Sequence, residues 1–166
     1  QMCIRDRYCG FGFPGGPAIQ KIGDGGDETK IDFPRPKTSN KFDYSFSGLK
    51  TAAIYYLQGL PDDQPISKKD FAASYQEAIV DSLMSIFEKA VKETNVPTIS
   101  GGGGVMANSR LREKLMIFAE NENKDLLLPS PKLSTDNAAM ICIAAKNNLI
   151  TNDLGLEDIR LSSIIS

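Results

Sequence analysis

The fold class follows from the stretch Thr98-Ile-Ser-Gly-Gly-Gly-Gly-Val-Met-Ala-Asn-Ser-Arg-Leu-Arg112. A β-branched segment ends in four consecutive glycines, and a helical pattern follows directly. In α/β proteins this order places a phosphate, because glycines let the backbone approach the anion and the helix presents free N–H groups. Asn108 is placed either to cap that helix or to reach a ligand. The spacing matches neither the dinucleotide fingerprint nor the P-loop, so a plain glycine turn stays an equal alternative.

Composition limits what the chain can do. It has 166 residues, no histidine, a net charge of −2 and 41% hydrophobic residues, which is one domain's worth of sequence with enough apolar content for a core. That charge argues against nucleic-acid binding by bulk electrostatics. A local basic patch stays possible, at Lys41, Lys50, Arg110, Arg112 and Lys114. The three cysteines form no metal-spaced pair and their odd number does not suggest a disulfide framework, so a reducing cytosol fits best. No apolar run reaches the ~20 residues that span a bilayer.

Apolar spacing predicts the main helices. Side chains from Phe71 to Ala90 recur every three or four residues and predict a long amphipathic helix over 70–93. We also expect a helix from Pro17, a strand at 44–47, helices over 49–60 and around 111–118, a strand at 98–100 and a buried strand at 125–128. The segment Ser134-Thr-Asp136 offers three candidate N-caps for a last helix through Ala145. That helix is apolar nearly all round, so it is predicted to be buried.

Four motifs occur in fixed order along the chain. They are Phe-Pro-Gly-Gly-Pro at 13–17, Ser-Phe-Ser-Gly-Leu-Lys-Thr at 45–51, Gly-Gly-Val-Met-Ala-Asn-Ser-Arg-Leu-Arg at 103–112 and Ser-Thr-Asp-Asn-Ala-Ala-Met at 134–140. Together they closely resemble the TsaD family of tRNA threonylcarbamoyladenosine transferases, over roughly residues 11–149. Each motif alone is a weak signal, whereas four in register make the resemblance specific.

The resemblance implies an α/β fold, namely the second lobe of the actin-like fold shared by sugar kinases and Hsp70. It implies a C-terminal lobe at 11–150, between a non-native or remnant segment at 1–10 and a divergent tail at 151–166. The first lobe of the family, which carries two metal-binding histidines, has no counterpart in this sequence. We therefore expect the isolated chain to be inactive, to expose its lobe-packing surfaces and to be marginally stable or self-associating.

The resemblance also implies an activity in the cytoplasm. A threonylcarbamoyl group moves from threonylcarbamoyl-AMP, which derives from ATP, to N6 of adenosine 37 in tRNAs that read codons starting with A. The implied partners are tRNA, a paralogous subunit and an ATPase of the modification complex. No association with a membrane is implied. In the family, one divalent metal ion, iron or zinc, is bound by two histidines of the first lobe and one aspartate of the second. The resemblance implies that this aspartate is Asp136. An ordinary helix cap is the alternative for Asp136, and the two roles are compatible.

Other residues match binding positions of the family. Gly16 and Asn108 match positions that contact the nucleotide or adenylate, and Gly103 and Gly104 match the phosphate-side loop. Two departures stand out: Gln20 replaces a residue that is often acidic and lies near the ribose, and the glycine run has one extra glycine. No catalytic residue is assigned.

Two alternative functions stay open at this point. One is a non-catalytic lobe that binds nucleotide or a protein partner, which the missing histidines favour. The other is a carbamoyltransferase or kinase-like lobe that acts on a small molecule, against which the motif at 45–51 speaks. A protease is not supported, because no histidine and no serine beside a base is present.

Overall fold

The computed structural model describes residues 14–59 and 67–151. The segment predicted at 1–10 lies outside these ranges, as do 152–166 of the predicted tail. The described elements, in chain order, are α1 (Gly15–Gly23), α2 (Ser47–Gln58), α3 (Lys68–Thr94), β1 (Thr98–Ser100), a 3₁₀ turn (Gly104–Ala107), α4 (Ser109–Asn121), β2 (Asp125–Leu127), a second 3₁₀ turn (Pro131–Leu133) and α5 (Ala138–Thr151).

The two strands form a small parallel sheet that confirms an α/β structure. Ile99 of β1 lies opposite Leu126 of β2, and the helix α4 connects the two strands. Parallel neighbours need such a crossover, because a tight turn would bring the second strand back antiparallel. The predicted order of strand, glycine turn and helix is therefore confirmed, with a 3₁₀ turn inserted between the glycines and α4.

The long helix α3 is the centre of the packing, as its apolar spacing predicts. The Ser67 hydroxyl accepts a hydrogen bond from the Asp70 N–H at 3.2 Å and caps its start. Asn95, in the left-handed region at φ 48°, ends it. Two opposite faces of α3 contribute to two core clusters. The first contains Phe33, Leu49, Ala53, Phe71, Tyr75 and Ala78. The second contains Val80, Met84, Val91, Ile99, Leu111, Leu115 and Phe118.

The loop after α1 is pinned to α3 by a buried serine and by close backbone packing. The Ser74 hydroxyl, 1% exposed, donates to the Asp27 carbonyl at 3.0 Å and accepts from the Ile31 N–H at 3.2 Å. A Cβ on Gly26 would lie 2.5 Å from the Lys69 carbonyl oxygen. These contacts hold α1, and with it Gly16, at a fixed place beside α3.

Two strand predictions are wrong in part. Residues 44–46 form no strand, and α2 begins at Ser47 instead. Tyr44 and Phe46 alternate with serines as a strand would, but their rings stack on each other with centroids 6.4 Å apart. The strand β2 forms but is not buried, since Leu127 is 62% exposed and the two-stranded sheet leaves that side uncovered within the described residues.

The prediction that the last helix is buried is wrong for this chain. Every described side chain of α5 from Ala138 to Lys146 is exposed. No other helix or strand among the described residues packs extensively on it. Its cap is also displaced from the predicted 134–136, because Asn137 accepts the hydrogen bond of the Met140 N–H at 3.1 Å. Ser134 belongs to the preceding turn, where its hydroxyl donates to the Ser130 carbonyl at 3.1 Å.

None of the helices within residues 14–59 and 67–151 is both long enough and apolar enough to cross a membrane.

Candidate functional site

A cavity of about 650 Å³ lies where α1, the loop after it, α3 and the start of α4 meet. Its walls are largely polar. They include Pro17 and Gln20 from α1, Gln76 from α3, and Ser109 and Arg110 from α4. Because it ends at a helix N-terminus, part of the cavity faces the positive end of the α4 dipole.

Asn108 does two things at this junction. Its Oδ1 atom accepts a hydrogen bond from the Leu111 N–H at 2.9 Å, which confirms the first of its two predicted roles, the cap of α4. Its Nδ2 atom donates to Oε1 of Gln76 at 2.9 Å. The cap is therefore also a contact between α4 and α3, and the side chain is held at both ends.

Helix α1 reaches the same junction through Gln20. Its Oε1 atom accepts a hydrogen bond from the Ser109 N–H at 3.0 Å, across 89 positions of sequence. Gly16 lies one turn earlier on the same helix and is half-buried, with no atom within 4 Å of where a Cβ would stand. The structure thus brings the helix of Gly16 against the residue that follows Asn108.

The four glycines have different roles. A Cβ on Gly101 would lie 2.6 Å from the Met106 sulfur and 2.9 Å from Cδ2 of Leu128, so a larger residue here would force these side chains to move. Gly103 adopts φ 85° and turns the chain, and both Gly103 and Gly104 are exposed with nothing within 4 Å. Among the described residues, the N–H groups of Gly102 and Gly103 have no hydrogen-bond acceptor, which leaves them available to an anion.

An ion-pair network, which we call the α3–α4 seam, borders the cavity. Arg110 contacts Glu77 through two hydrogen bonds of 2.8 and 2.9 Å, and Lys114 contacts the same carboxylate at 2.6 Å and also Asp81. The Glu77 side chain is 13% exposed. The hydrogen bonds from Arg110 lower the pKa of Glu77 from its ordinary 4.5 to about 2, against the opposing effect of burial. Glu77 is therefore a charged, structural carboxylate at neutral pH and not a proton-transfer group.

The possible basic patch does not form as an open surface. Arg110 and Lys114 are neutralised within the seam, and Lys41 pairs with Glu93. The Arg112 guanidinium donates to the carbonyls of Met106 and Pro129 at 3.0 and 2.8 Å, which ties the first 3₁₀ turn to the segment before the second. These charges serve packing between elements.

Asp136 is exposed and lies directly before the cap of α5. Among the described residues, no group of three histidine, cysteine, aspartate or glutamate side chains is placed to hold a metal ion. Asp136 offers one carboxylate, and a first-row metal in a protein usually needs three or more protein ligands. The described residues therefore do not form the implied metal site by themselves.

Sequence reasoning missed Gln76 and the seam. The seam did leave a signal, because Glu77 and Asp81 are four apart on one helix and Arg110 and Lys114 are four apart on another, and side chains four apart share a helix face. Gln76 left none, since a glutamine within a helix is most often simply solvated.

A polar cavity at a helix N-terminus, in a βαβ unit whose first strand leads into a glycine-rich turn, is typical of proteins that hold a phosphate-bearing ligand. Comparison with known proteins makes the class specific. Residues 2–143 match the TsaD family model, described as tRNA N6-adenosine threonylcarbamoyltransferase, and the chain belongs to this family. The resemblance seen in the four motifs is therefore confirmed.

Curated relatives carry the same description. The chain is 48% identical over 139 residues to the tRNA N6-adenosine threonylcarbamoyltransferase of Thermosipho africanus, covering 83% of this chain and 42% of that protein. It is 46% identical over 143 residues to the Clostridium novyi protein of that name, covering 84% and 42%. For the Syntrophus aciditrophicus protein the identity is 43% over 142 residues, covering 84% and 41%. The chain thus spans about two fifths of the length of these relatives.

Proposed function

We propose that this chain is part of an enzyme that transfers a threonylcarbamoyl group from threonylcarbamoyl-AMP to N6 of adenosine 37 in tRNAs that read codons starting with A. In that reaction the amine forms a new C–N bond to the carbamoyl carbon, the bond to the phosphate oxygen breaks, and AMP leaves with the released proton taken up by solvent or base. The chain alone is inactive. The wider fold is the second lobe of an actin-like ATPase, and the protein works in the cytoplasm with a paralogous subunit and an ATPase.

The observation that carries the proposal is that two motif positions, in a chain of this family, lie on elements that meet beside the cavity. Gly16 lies on the helix that Gln20 ties to Ser109, and Asn108 comes directly before Ser109. The N–H groups of Gly102 and Gly103, which have no acceptor among the described residues, support a phosphate-side role for the turn that contains Gly103 and Gly104. The Oε1 atom of Gln20 accepts a hydrogen bond from the Ser109 N–H, so the contact near the ribose that the often acidic family residue makes is not carried over to Gln20.

Calorimetric titration of the chain with AMP and with ATP tests this site. Saturable binding is expected, and Asn108→Ala should weaken it. Asn137→Ala is a matched control, because Asn137 is also an asparagine cap but lies at α5. Equal binding by wild type and Asn108→Ala would remove Asn108 from the site. An equal loss in the two variants would show that the effect is general.

Activity is tested in a chimera, since the chain covers only part of its relatives. Replacing the matching segment of the Thermosipho africanus protein with this chain should preserve tRNA modification in cells lacking the enzyme. The chain alone should not restore it. An inactive but folded chimera would contradict the proposed function, and restoration by the chain alone would contradict its proposed inactivity. Modification of a small molecule without tRNA would favour the alternative of a small-molecule carbamoyltransferase.

The metal ion is proposed on the basis of the family resemblance. Asp136 would supply one carboxylate oxygen to an iron or zinc ion, with two histidines from a part of the family protein that this sequence does not contain. In the chimera, Asp136→Asn should lower the metal content measured by mass spectrometry. Asp125→Asn, at another exposed aspartate, should leave it unchanged.

A further inference from the structure

Two backbone N–H groups determine the orientation of three side-chain amides at the junction of α1, α3 and α4; two of them, on Gln20 and Gln76, line the cavity. An N–H group cannot accept a hydrogen bond, so the atom of Asn108 that faces the Leu111 N–H must be its oxygen. The amide nitrogen of Asn108 then faces Gln76, whose contacting atom must also be oxygen. The same argument fixes Gln20, whose oxygen faces the Ser109 N–H. These orientations follow from donor chemistry alone.

We infer that Gln76 is a positioning residue, which holds the Asn108 carboxamide so that its second Nδ2–H is presented to the nucleotide. This rests on the proposed function, in which Asn108 contacts that ligand. With Oδ1 held by Leu111 and one Nδ2–H held by Gln76, the amide cannot flip without losing both bonds. The remaining N–H therefore has a fixed direction before any ligand binds. Binding then loses less side-chain conformational entropy, because this donor is already ordered.

Gln76 is well placed for this because it is not part of the ion-pair network that joins α3 to α4. The neighbouring Glu77 belongs to that network, through two hydrogen bonds from Arg110 and one from Lys114. Gln76 is half-buried and lines the cavity, while its own Nε2 atom has no hydrogen-bond partner among the described residues. Its removal should leave the α3–α4 seam in place and free only the carboxamide of Asn108.

The test compares Gln76→Leu with Gln76→Glu in this chain. Leucine fills similar space but accepts no hydrogen bond, whereas a glutamate oxygen still accepts from Nδ2 of Asn108. Two-dimensional ¹⁵N–¹H spectra report the Asn108 side-chain amide directly. We expect its hydrogen exchange to be slow in wild type and Gln76→Glu, and at least fivefold faster in Gln76→Leu. Titration with AMP, followed in the same spectra, should show about fivefold weaker binding for Gln76→Leu. Gln76→Glu adds a carboxylate to the cavity wall, so it serves as the control for amide exchange only.

The outcomes separate this inference from the proposed function. Unchanged amide exchange in Gln76→Leu would overturn the inference, whether or not AMP binds. So would unchanged AMP affinity in Gln76→Leu when Asn108→Ala lowers that affinity. If Asn108→Ala has no effect on AMP binding, the proposed role of Asn108 fails, and the role of Gln76 in presenting it to the nucleotide fails with it. Urea unfolding of both variants shows whether the seam has been disturbed; a Gln76→Leu curve that matches wild type, together with weaker AMP binding, would support positioning.

Discussion

Helices α4 and α5 begin in the same way and end up in opposite surroundings. Each starts at an asparagine whose Oδ1 accepts an N–H three residues on, from Leu111 at 2.9 Å in α4 and from Met140 at 3.1 Å in α5. The amide nitrogen of Asn108 reaches across to Gln76 on another helix. That of Asn137 donates only to nearby carbonyls, at 3.4 Å and 2.9 Å.

Their apolar side chains differ in the same sense. Leu111, Leu115 and Phe118 of α4 are at most 7% exposed, whereas Ile141 and Ile143 of α5 are 66% and 61% exposed. The more apolar helix is thus the less buried one. Local sequence determines that a helix forms and where it begins, but burial depends on a partner surface that the sequence pattern does not identify.

The largest expected difference between the two helices is in core truncation. Leu111→Ala should lower the free energy of unfolding by about 3 kcal/mol, because it removes a buried side chain and leaves a cavity. Ile141→Ala should change it by less than about 0.5 kcal/mol, since that side chain is already in solvent. Urea unfolding followed by circular dichroism measures both. A loss above about 1 kcal/mol for Ile141→Ala would show that α5 is packed in solution.

The seam gives the next effect. Glu77→Gln should cost about 1–2 kcal/mol at pH 7, because Arg110 and Lys114 lose their shared carboxylate. Arg110 keeps two other acidic partners, Glu113 and Glu28, and Lys114 keeps Asp81. The pKa of Glu77 is lowered, so its stabilisation is complete above about pH 4.5 and is lost as the pH falls toward 2.

The control for this prediction is the pH series itself. Unfolding curves of wild type and Glu77→Gln should differ at pH 7 and converge between pH 4.5 and 2. A gap that stays constant down to pH 2 would mean that the charge of Glu77 does not contribute. Lys114 responds in the complementary sense: burial alone would lower its pKa, yet the bonds to Asp81 and Glu77 outweigh burial and raise it.

Removing the asparagine caps of α4 and α5 tests whether the two helix starts contribute differently to stability. Asn108→Ala should cost about 1.5 kcal/mol, since it removes the cap and leaves the Gln76 oxygen without its donor. Asn137→Ala should cost no more than about 0.5 kcal/mol, because its contacts are local and α5 is exposed. Unfolding measurements on Asn108→Ala, Gln76→Leu and the double variant separate the two contributions. An additive double variant would show that the bond between α3 and α4 adds no stability.

The elements that the sequence predicts well are those whose signal is local. The spacing from Phe71 to Ala90 places α3, the glycine run places the turn before α4, and Asn108 is recognised as a cap from its position alone. The family is also predicted from the sequence, because the four motifs are recognised from residue identity and spacing, without any information on packing. These features need only neighbours along the chain.

The parts that escaped prediction depend on what lies opposite. The alternation at 44–47 suggests a strand, but without an adjacent strand among the described residues the two rings stack instead. The cap of α5 moved from the predicted 134–136 to Asn137, one of four consecutive residues with similar capping tendency. Gln76 and Gln20 join the site through contacts 32 and 89 positions away along the chain, which no local pattern encodes.

The smallest expected effect on monomer stability comes from substituting polar residues for the exposed apolar side chains of α5. Ile141→Lys with Ile143→Lys should leave the unfolding free energy within about 0.5 kcal/mol of wild type, because both side chains are exposed. Exposed apolar surface favours association, so the chain should self-associate and the double variant should do so less, as measured by sedimentation velocity over a concentration series.

Helix α4 supplies the matched control for that experiment. Met116 and Ile117 are adjacent apolar residues on α4, 49% and 51% exposed, and the same double lysine substitution there adds the same charge. If self-association falls equally in both variants, added charge and not the α5 surface explains the result. If it falls only in the α5 variant, the apolar side chains of α5 are the contact surface. A wild-type chain that stays monomeric at every concentration would mean that exposed isoleucines alone are too small a surface to hold two copies together, and burial of α5 would then require a larger complementary partner.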